Sequence, residues 1–423
     1  MSGEAAPATP SLGSLASLAR PLGAGEFARL RSHALARGVV VERDGLSVLG
    51  FGQAGVVPLP NGLGDPQATR AVPSSLAAIG PGVVAMGAFH FRPDTGVVLS
   101  VPSVCVRARA GTAPVAVVVA PSPTESAVDE LLAEALAGGE PPRETPPDSF
   151  RLESRRPHED FLHRVAAAVD EVRSGRLEKV VMAREVLIEA NRPLRQGDLL
   201  ERLRSLHPSC AAFAIDGFIG ATPELLIRRS GREVESHPLA GTAARSGDPD
   251  ADRRVEAALL ASGKERSEHR AVVDAIADGL RPVMAELEVP DGPSIVELRN
   301  VSHLGTRMTG RLALGPAGEL MNAIELLGLI HPTPAVAGSP VDLALDYLAK
   351  AEELDRDRYA GAVGWIDGDG DGEWYLGIRC AIVEDRTARL FAGVGIVADS
   401  DPHAELAETQ LKLQAFLAAA VRP

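Results

Sequence analysis

The order of strand-like and helix-like segments is the feature that most constrains the fold of this chain. Short β-branched runs separated by turn residues dominate the first part, whereas long helical patterns such as 252–288 come later. Strands and long helices do not alternate regularly, as they would in a doubly wound fold. This order predicts an α+β layered sandwich. The strand-like runs are 38–42, 82–86, 97–101, 114–119, 179–189, 211–220, 375–383 and 390–397, and further helices are predicted at 158–174 and 402–420.

Composition shifts divide the chain into three predicted parts. Residues 1–25 are rich in Ala, Pro, Ser and Gly and are predicted to be a disordered tail. A Pro- and Gly-rich joint at 138–147 then ends an N-terminal β-rich subdomain, predicted at 26–150. The remaining residues, 151–423, are expected to form the catalytic domain.

Charge and cysteine content narrow the classes of partner. Forty-three Lys and Arg against fifty-seven Asp and Glu give a formal charge of -14, which repels nucleic acid and anionic membranes. No apolar run approaches the length of a membrane span, and the N-terminus lacks a secretory pattern. The three cysteines are far apart and form no CxxC pair. We therefore expect a cytoplasmic protein with neither nucleic acid nor membrane as a partner.

Two predicted helices each carry a pair of carboxylates three residues apart. Glu265 and Glu268 form the first pair; Glu405 and Glu408 form the second, with Lys412 four residues further on. Residues at these spacings share one helix face. Taken alone, each pair is typical of a solvated helix surface. If the four side chains converge, their oxygens suit Mg²⁺, which usually takes one or two carboxylates and leaves room for an anionic substrate.

Ten segments between residues 177 and 413 resemble, in the same order, motifs of the chorismate-utilising enzymes. This family includes the isochorismate, salicylate, anthranilate and aminodeoxychorismate synthases. No single motif is decisive, but the ordered set is highly specific. The resemblance implies a layered α/β/β/α sandwich with two large, mostly antiparallel sheets around a central cleft. The segments are 177–184, 220–226, 238–242, 264–269, 302–304, 331–336, 359–364, 377–379, 392–397 and 400–413.

Two features resemble the isochorismate-forming branch of this family. Lys179 stands where water-using members place a general-base lysine, and the segment His331–Val336 reads as in that branch. Ala337–Gly338 departs from the Gly-Gly of many members, which weakens the distinction from salicylate synthases. The salicylate-forming reaction, in which isochorismate then loses pyruvate, is therefore the alternative. An aminating synthase fits less well, because it would normally need a glutaminase partner and a different residue at position 179. A non-catalytic binder fits less well, because each expected catalytic and metal position holds a competent residue.

The resemblance also implies roles for individual residues. Lys179 would be the base that activates water at C2 of chorismate, and Glu224 the acid that protonates the departing C4 hydroxyl. Both roles require burial or neighbouring charges that shift their pKa values. Glu268 and Glu408 would bind Mg²⁺ directly, and Glu265 and Glu405 through water. Arg379 would grip a substrate carboxylate. The family further suggests a monomer, and the other positions that match substrate-binding residues are Gly241, Thr242, His303, Ala335, Tyr359, Gly393, Gly395 and Lys412.

Overall fold

The structure is a computed structural model and describes residues 12–43, 45–137, 145–299 and 301–421. Ten α-helices and twenty-four strands occur in these ranges. The helices are α1 (Ala24–Arg37), α2 (Pro66–Ala77), α3 (Glu125–Ala137), α4 (His158–Arg173), α5 (Gln196–Leu206), α6 (Pro249–Ala261), α7 (Gly263–Leu280), α8 (Ala323–Ile330), α9 (Val341–Ala351) and α10 (Pro402–Ala420).

The strands are β1 (Ala16–Pro21), β2 (Val39–Arg43), β3 (Leu46–Phe51), β4 (Gly55–Leu59), β5 (Val84–Ala88), β6 (Val97–Val101), β7 (Val104–Arg109), β8 (Val115–Ala120), β9 (Phe150–Ser154), β10 (Lys179–Ala190), β11 (Ala211–Ile215), β12 (Phe218–Thr222), β13 (Leu225–Ser230), β14 (Glu233–His237), β15 (Leu239–Ala244), β16 (Met284–Glu288), β17 (Ser294–Glu297), β18 (Val301–Gly305), β19 (Met308–Leu312), β20 (Gly338–Ser339), β21 (Ala362–Asp367), β22 (Gly372–Leu376), β23 (Cys380–Glu384) and β24 (Thr387–Ile396).

The strands form two large sheets and one small sheet, and their pairings are antiparallel. The twelve-stranded sheet has the order β1-β8-β7-β3-β2-β11-β12-β23-β24-β10-β20, with β9 also paired to β10. The nine-stranded sheet has the order β16-β19-β14-β13-β22-β21-β5-β6-β4. A three-stranded sheet, β15-β18-β17, lies apart from both. The predicted α+β fold with large antiparallel sheets is therefore confirmed.

Side chains alternate between the two faces of each strand, so the twelve-stranded sheet has an apolar layer on each face. On β2 and β3, Val41 and Val48 face a core that also contains Met86 and Trp374 of the nine-stranded sheet, so this core lies between the two large sheets. The opposite face of the twelve-stranded sheet packs on helices α1, α5 and α10. Helix α8 packs on β13 and β22 of the other large sheet. No helix within these described ranges is long and apolar enough to cross a bilayer.

The predicted disordered tail is wrong for residues 12–25. Residues 16–21 form β1, an edge strand whose six residues pair with β8, and Leu15 and Leu22 on either side of it are buried. The Ala- and Ser-rich composition of this stretch does not predict a strand. The strand forms because it pairs with β8, not because its own residues are strongly hydrophobic. Residues 1–11 lie outside the described residues.

The predicted separation of a subdomain at 26–150 also differs from the structure. This segment is rich in strands, as predicted. However, β2 pairs with β11 in the twelve-stranded sheet, and β5 pairs with β21 in the nine-stranded sheet. Both large sheets therefore contain strands from both parts of the chain, so the segment shares its hydrogen-bonded core with the remainder.

Three predicted segments have a different internal structure. The run 211–220 is a hairpin rather than one strand, because Asp216 and Gly217 adopt positive φ values of 47° and 74° and reverse the chain between β11 and β12. The run 375–383 is interrupted after β22, and the chain then enters β23 in the other large sheet. The last residues of the helical pattern at 252–288 form β16 instead, where pairing with β19 replaces helix formation.

Candidate active site

One open cavity is lined by all of the site residues predicted from the sequence. It lies where the two large sheets, the small sheet and helices α7 and α10 meet. Side chains from segments that are more than 200 residues apart in the chain therefore line one space. The predicted residues in its wall are Lys179, Glu224, Gly241, Thr242, Glu265, Glu268, His303, Ala335, Tyr359, Arg379, Gly393, Gly395, Glu405, Glu408 and Lys412.

Two chain segments that cross between the large sheets position Glu224 and Arg379. Glu224 lies between β12 of the twelve-stranded sheet and β13 of the nine-stranded sheet. Arg379 lies on the return crossing from β22 to β23, with a positive φ of 51°. The crossings are joined by backbone hydrogen bonds from Leu376 N to Glu224 O at 3.0 Å and from Ala221 N to Arg379 O at 3.3 Å. The acid and the arginine therefore share one backbone support.

The Glu224 carboxyl group is suited to hold a proton near neutral pH. The residue is 2% exposed, and its Oε1 atom has no hydrogen-bond partner among the described residues. Burial raises the pKa of Glu224 to about 8, and the opposing effects of a backbone hydrogen bond from Leu239 and of the Arg379 and Lys179 charges are smaller. A carboxyl group in such surroundings can donate a proton.

Lys179 reaches the cavity from the first residue of β10 through space that Gly395 leaves open. Gly395 lies on the neighbouring strand β24, opposite Val181. A Cβ atom on Gly395 would lie 2.2 Å from Lys179 Cε and 2.8 Å from its Nζ. The glycine therefore provides room for the lysine side chain. The buried Nζ donates to Glu268 Oε1 at 2.5 Å.

His303 connects the small sheet to Arg379. Arg379 Nη2 donates to His303 Nε2 at 3.1 Å, so Nδ1 carries the imidazole hydrogen and points to the Gly241 carbonyl oxygen at 3.0 Å. Burial, assisted by Arg379, lowers the pKa of His303 to about 3, so the ring is neutral. Gly241 has a φ of +73° and lies at a bulge in the pairing of β15 with β18. The bulge turns its carbonyl group toward the imidazole.

The two acidic pairs enter the cavity from the N-terminal halves of α7 and α10. Ser262 caps α7, and Asp401 caps α10 just before Pro402. Burial and the neighbouring Glu268 raise the pKa of Glu265. The charge of Glu408, from the other helix, also raises it. The two pairs therefore repel each other across the cavity.

In the second pair, as in the first, one carboxylate contacts a lysine ammonium. Burial acts to raise the pKa of Glu408, but Lys412, Arg379 and Lys179 outweigh this effect and hold it below its usual range. Lys412 Nζ contacts Glu408 Oε1 at 2.7 Å and donates to the Gly393 carbonyl oxygen at 2.9 Å. In contrast, burial raises the pKa of Glu405, and Glu408 adds to the rise.

The chemistry of these four carboxylates fits a hard divalent cation. Oxygen ligands and unrelieved repulsion between the carboxylates favour an ion such as Mg²⁺. No three His, Cys, Asp or Glu side chains in the described parts of the chain already lie close enough to share one metal. Lys179 and Lys412 instead hold Glu268 and Glu408. A site that uses one or two direct carboxylates with water and substrate oxygens would not require a preformed cluster of three.

Sequence reasoning missed some cavity residues. The most important is Lys264, the second residue of α7, which is exposed and reads as a solvated helix residue. The others are mainly apolar, and no place in the cavity wall was predicted for them. They include Leu239, Val336, Leu376, Ile378 and Phe391. Phe391 stacks on Tyr359, with ring centroids 5.2 Å apart.

Comparisons with known proteins agree with this geometry. A family model described as "Chorismate binding enzyme" matches residues 70–421. Isochorismate synthase DhbC of Bacillus subtilis (strain 168) is 40% identical over 272 residues, which cover 62% of this chain and 67% of that protein. The salicylate biosynthesis isochorismate synthase of Pseudomonas aeruginosa is 44% identical over 262 residues, covering 60% of this chain and 53% of that protein.

A solved structure shows the same fold over nearly the whole chain. MenF, the menaquinone-specific isochorismate synthase from Escherichia coli, superposes with a TM-score of 0.80 at 24% sequence identity. The match covers 99% of this chain and 97% of that one.

Proposed function

Because this chain belongs to the family of chorismate binding enzymes, we propose that it is an isochorismate synthase, an isomerase that interconverts chorismate and isochorismate. The observation that carries the proposal is the placement of Glu224, whose burial raises its pKa to about 8, in the same cavity as Lys179. A proton donor and a proton acceptor are the two groups that the reaction requires. The names of the relatives describe the same activity.

The proposed reaction exchanges one hydroxyl group for another. Lys179 accepts a proton from water as the water oxygen bonds to C2, and the ring double bonds shift. The C4–O bond breaks as Glu224 donates its proton to the departing hydroxyl, so a second water molecule leaves. To act as a base, Lys179 uses the lone pair of its neutral amine, whose N–H groups can still donate to Glu268.

Arg379, His303 and the acidic pairs orient the substrate in this proposal. Arg379 binds one substrate carboxylate, and the neutral His303 fixes the direction of its guanidinium. Mg²⁺, bound directly by Glu268 and Glu408 and through water by Glu265 and Glu405, would neutralise the ring carboxylate and hold the ring in place. Gly241, Thr242, Ala335, Tyr359, Gly393, Gly395 and Lys412 complete the substrate contacts.

Product analysis tests the reaction. Purified protein is incubated with chorismate and Mg²⁺ in ¹⁸O-labelled water, and products are separated by chromatography and weighed by mass spectrometry. We expect isochorismate that carries one solvent-derived oxygen at C2, with no pyruvate released. Stoichiometric pyruvate would instead identify a salicylate synthase, and unlabelled isochorismate would contradict the addition of water.

Two variants test the acid and the base. Lys179→Ala and Glu224→Ala are each expected to lose turnover by about a hundredfold or more, since each removes one proton-transfer group. Lys350→Ala, which changes an exposed lysine outside the cavity, is the control. Near-parental turnover in both active-site variants would contradict the assignment.

Location and assembly are further parts of the proposal. The three cysteines are buried and free, which supports a reducing, cytoplasmic compartment. We propose that the protein is a monomer that acts on a small molecule. Its mass in solution, from light scattering, tests the assembly state.

A further inference from the structure

Lysine is rare in this chain, and most of its lysines lie in one place. Of forty-three basic residues, four are lysines: Lys179, Lys264, Lys350 and Lys412. Three of these four line the cavity, where the remaining basic residue is Arg379. If lysine and arginine were interchangeable among the basic positions, the four basic positions of the cavity would hold fewer than one lysine on average. Lysine is therefore concentrated in this cavity.

Ion pairs elsewhere in the molecule indicate what arginine does in this chain. Arg356 binds Glu352 through two hydrogen bonds of 2.7 Å each, in the buried core. Arg307 binds Glu235 in the same two-pronged way, at 2.8 and 3.0 Å. Such paired contacts hold a carboxylate in one geometry. In these two pairs arginine fixes a carboxylate through two contacts.

Two cavity lysines hold carboxylates in a different way. Lys179 contacts Glu268 at 2.5 Å and Lys412 contacts Glu408 at 2.7 Å, each through a single ammonium. A compact ammonium on a flexible stem can leave a carboxylate without breaking a second bond. These two carboxylates are the expected direct ligands of Mg²⁺. The lysines therefore balance charges that a metal ion can take over.

Lys264 faces the other two carboxylates without being fixed to either. It lies in the first turn of α7, where a positive charge opposes the helix dipole, and it makes no ion pair within 4.0 Å with any described residue. Glu265 on α7 and Glu405 on α10 line the same cavity. One exposed ammonium thus shares a cavity wall with carboxylates of two helices.

We propose that Lys264 is an exchangeable counter-ion for Glu265 and Glu405, a task that arginine in its place would perform poorly. A guanidinium at this position would clamp one of the two carboxylates by a paired contact and withdraw it from the ion and its waters. This inference rests on the proposed function, because it assumes that the four carboxylates bind Mg²⁺. It makes Lys264 a positioning residue rather than a catalytic one.

Calorimetric titration with Mg²⁺ alone, without substrate, tests the proposal. Lys264→Arg keeps the charge but adds the two-pronged contact, so Mg²⁺ binding should weaken by about fivefold or more. Lys264→Met removes a positive charge near the ion, so binding should tighten by about threefold to tenfold. Lys350→Arg and Lys350→Met are the matched controls and should bind as the parent does. Thermal unfolding verifies that each variant is folded.

The two substitutions at Lys264 are expected to change the Mg²⁺ affinity in opposite directions, which makes the outcome decisive. Equal Mg²⁺ affinity of Lys264→Arg and the parent would overturn the proposal, and so would weaker binding by Lys264→Met. If the parent binds Mg²⁺ and converts chorismate but the arginine variant behaves identically, the inference fails and the proposed function stands. If the parent itself does not bind Mg²⁺, the metal part of the proposed function and this inference fail together.

Discussion

Glu224 combines burial with a carboxyl oxygen that has no hydrogen-bond partner, and this links activity to stability. Its ordinary pKa of 4.5 applies to the unfolded chain, whereas the folded value is about 8. Between these values the folded protein binds more protons than the unfolded chain. The free energy of unfolding therefore falls as the pH rises through this window. A group placed for proton donation thus costs stability at neutral pH.

Glu224→Gln should separate these two properties. The variant cannot donate a proton, so turnover should fall by about a hundredfold or more. It also has no charge to bury, so its free energy of unfolding at pH 7 should exceed that of the parent by about 1–3 kcal/mol. Urea unfolding at pH 5 and pH 8 measures this difference, which should be larger at pH 8.

A control identifies the origin of that pH dependence. Glu189→Gln changes an exposed glutamate, and its difference from the parent should not grow with pH. The parental turnover should decline above about pH 8, where Glu224 loses its proton. A stability difference that is constant from pH 5 to pH 8 would contradict the raised pKa.

Gly395 allows a second test at the level of one atom. In Gly395→Ala the new methyl group would overlap Lys179 Cε, at 2.2 Å, and force the side chain from its place. We expect turnover to fall by about a hundredfold with the fold retained. Gly328→Ala is the control, since Gly328 lies in α8 outside the cavity and its methyl group would meet its nearest neighbour, the Leu63 carbonyl oxygen, only at 3.8 Å. Equal losses in the two variants would argue against the role given to Gly395.

At the scale of elements, helix α10 carries Glu405, Glu408 and Lys412 on one face, and its first turn depends on a cap. The Asp401 side chain accepts a hydrogen bond from Ala404 N at 2.9 Å. Asp401→Ala should lower the free energy of unfolding by about 1 kcal/mol. Because Glu405 lies in this first turn, the Mg²⁺ concentration for half-maximal activity should also rise.

A second capped helix provides the comparison. Asp248 caps α6, whose residues do not line the cavity. Asp248→Ala should lower stability to a similar degree while the Mg²⁺ requirement stays the same. If Asp248→Ala raised the Mg²⁺ requirement as much as Asp401→Ala does, the effect would come from general destabilisation.

Element boundaries were predictable where local signals are strong. Helix α10 spans the predicted residues 402–420, since Asp401 and Pro402 mark its start. The hairpin turn at Asp216–Gly217 was missed because apolar residues surround it, and β11 and β12 are buried on both faces. Periodicity does not distinguish one long buried strand from two short ones. Strand β1 was missed because its order comes from pairing with β8.

The candidate site was predictable for a different reason. Single residues such as Lys179 or Glu265 carry little information, but the ordered motifs placed them in one cavity. Motifs do not describe how side chains fit together. The space that Gly395 gives to Lys179 and the link from Arg379 to His303 depend on neighbours that are distant in the chain. Lys264 was overlooked because an exposed lysine in a first helical turn resembles any solvated one.

At the scale of the whole molecule, shared sheets predict cooperative unfolding. Trp365 and Trp374 lie in the core of the nine-stranded sheet, whereas far-ultraviolet circular dichroism reports on all elements. Because both large sheets join strands from before and after residue 150, the two signals should give one urea midpoint. Two separate transitions would restore the independent subdomain predicted from composition.

The two crossings that carry Glu224 and Arg379 connect the two large sheets. Any displacement of one sheet relative to the other would move these crossings, even if a distant substitution causes it. A larger or smaller side chain between the sheets, outside the cavity, would therefore change the burial of Glu224. We therefore expect that substitutions in the interior can shift the pKa of Glu224 without changing a residue that contacts the substrate.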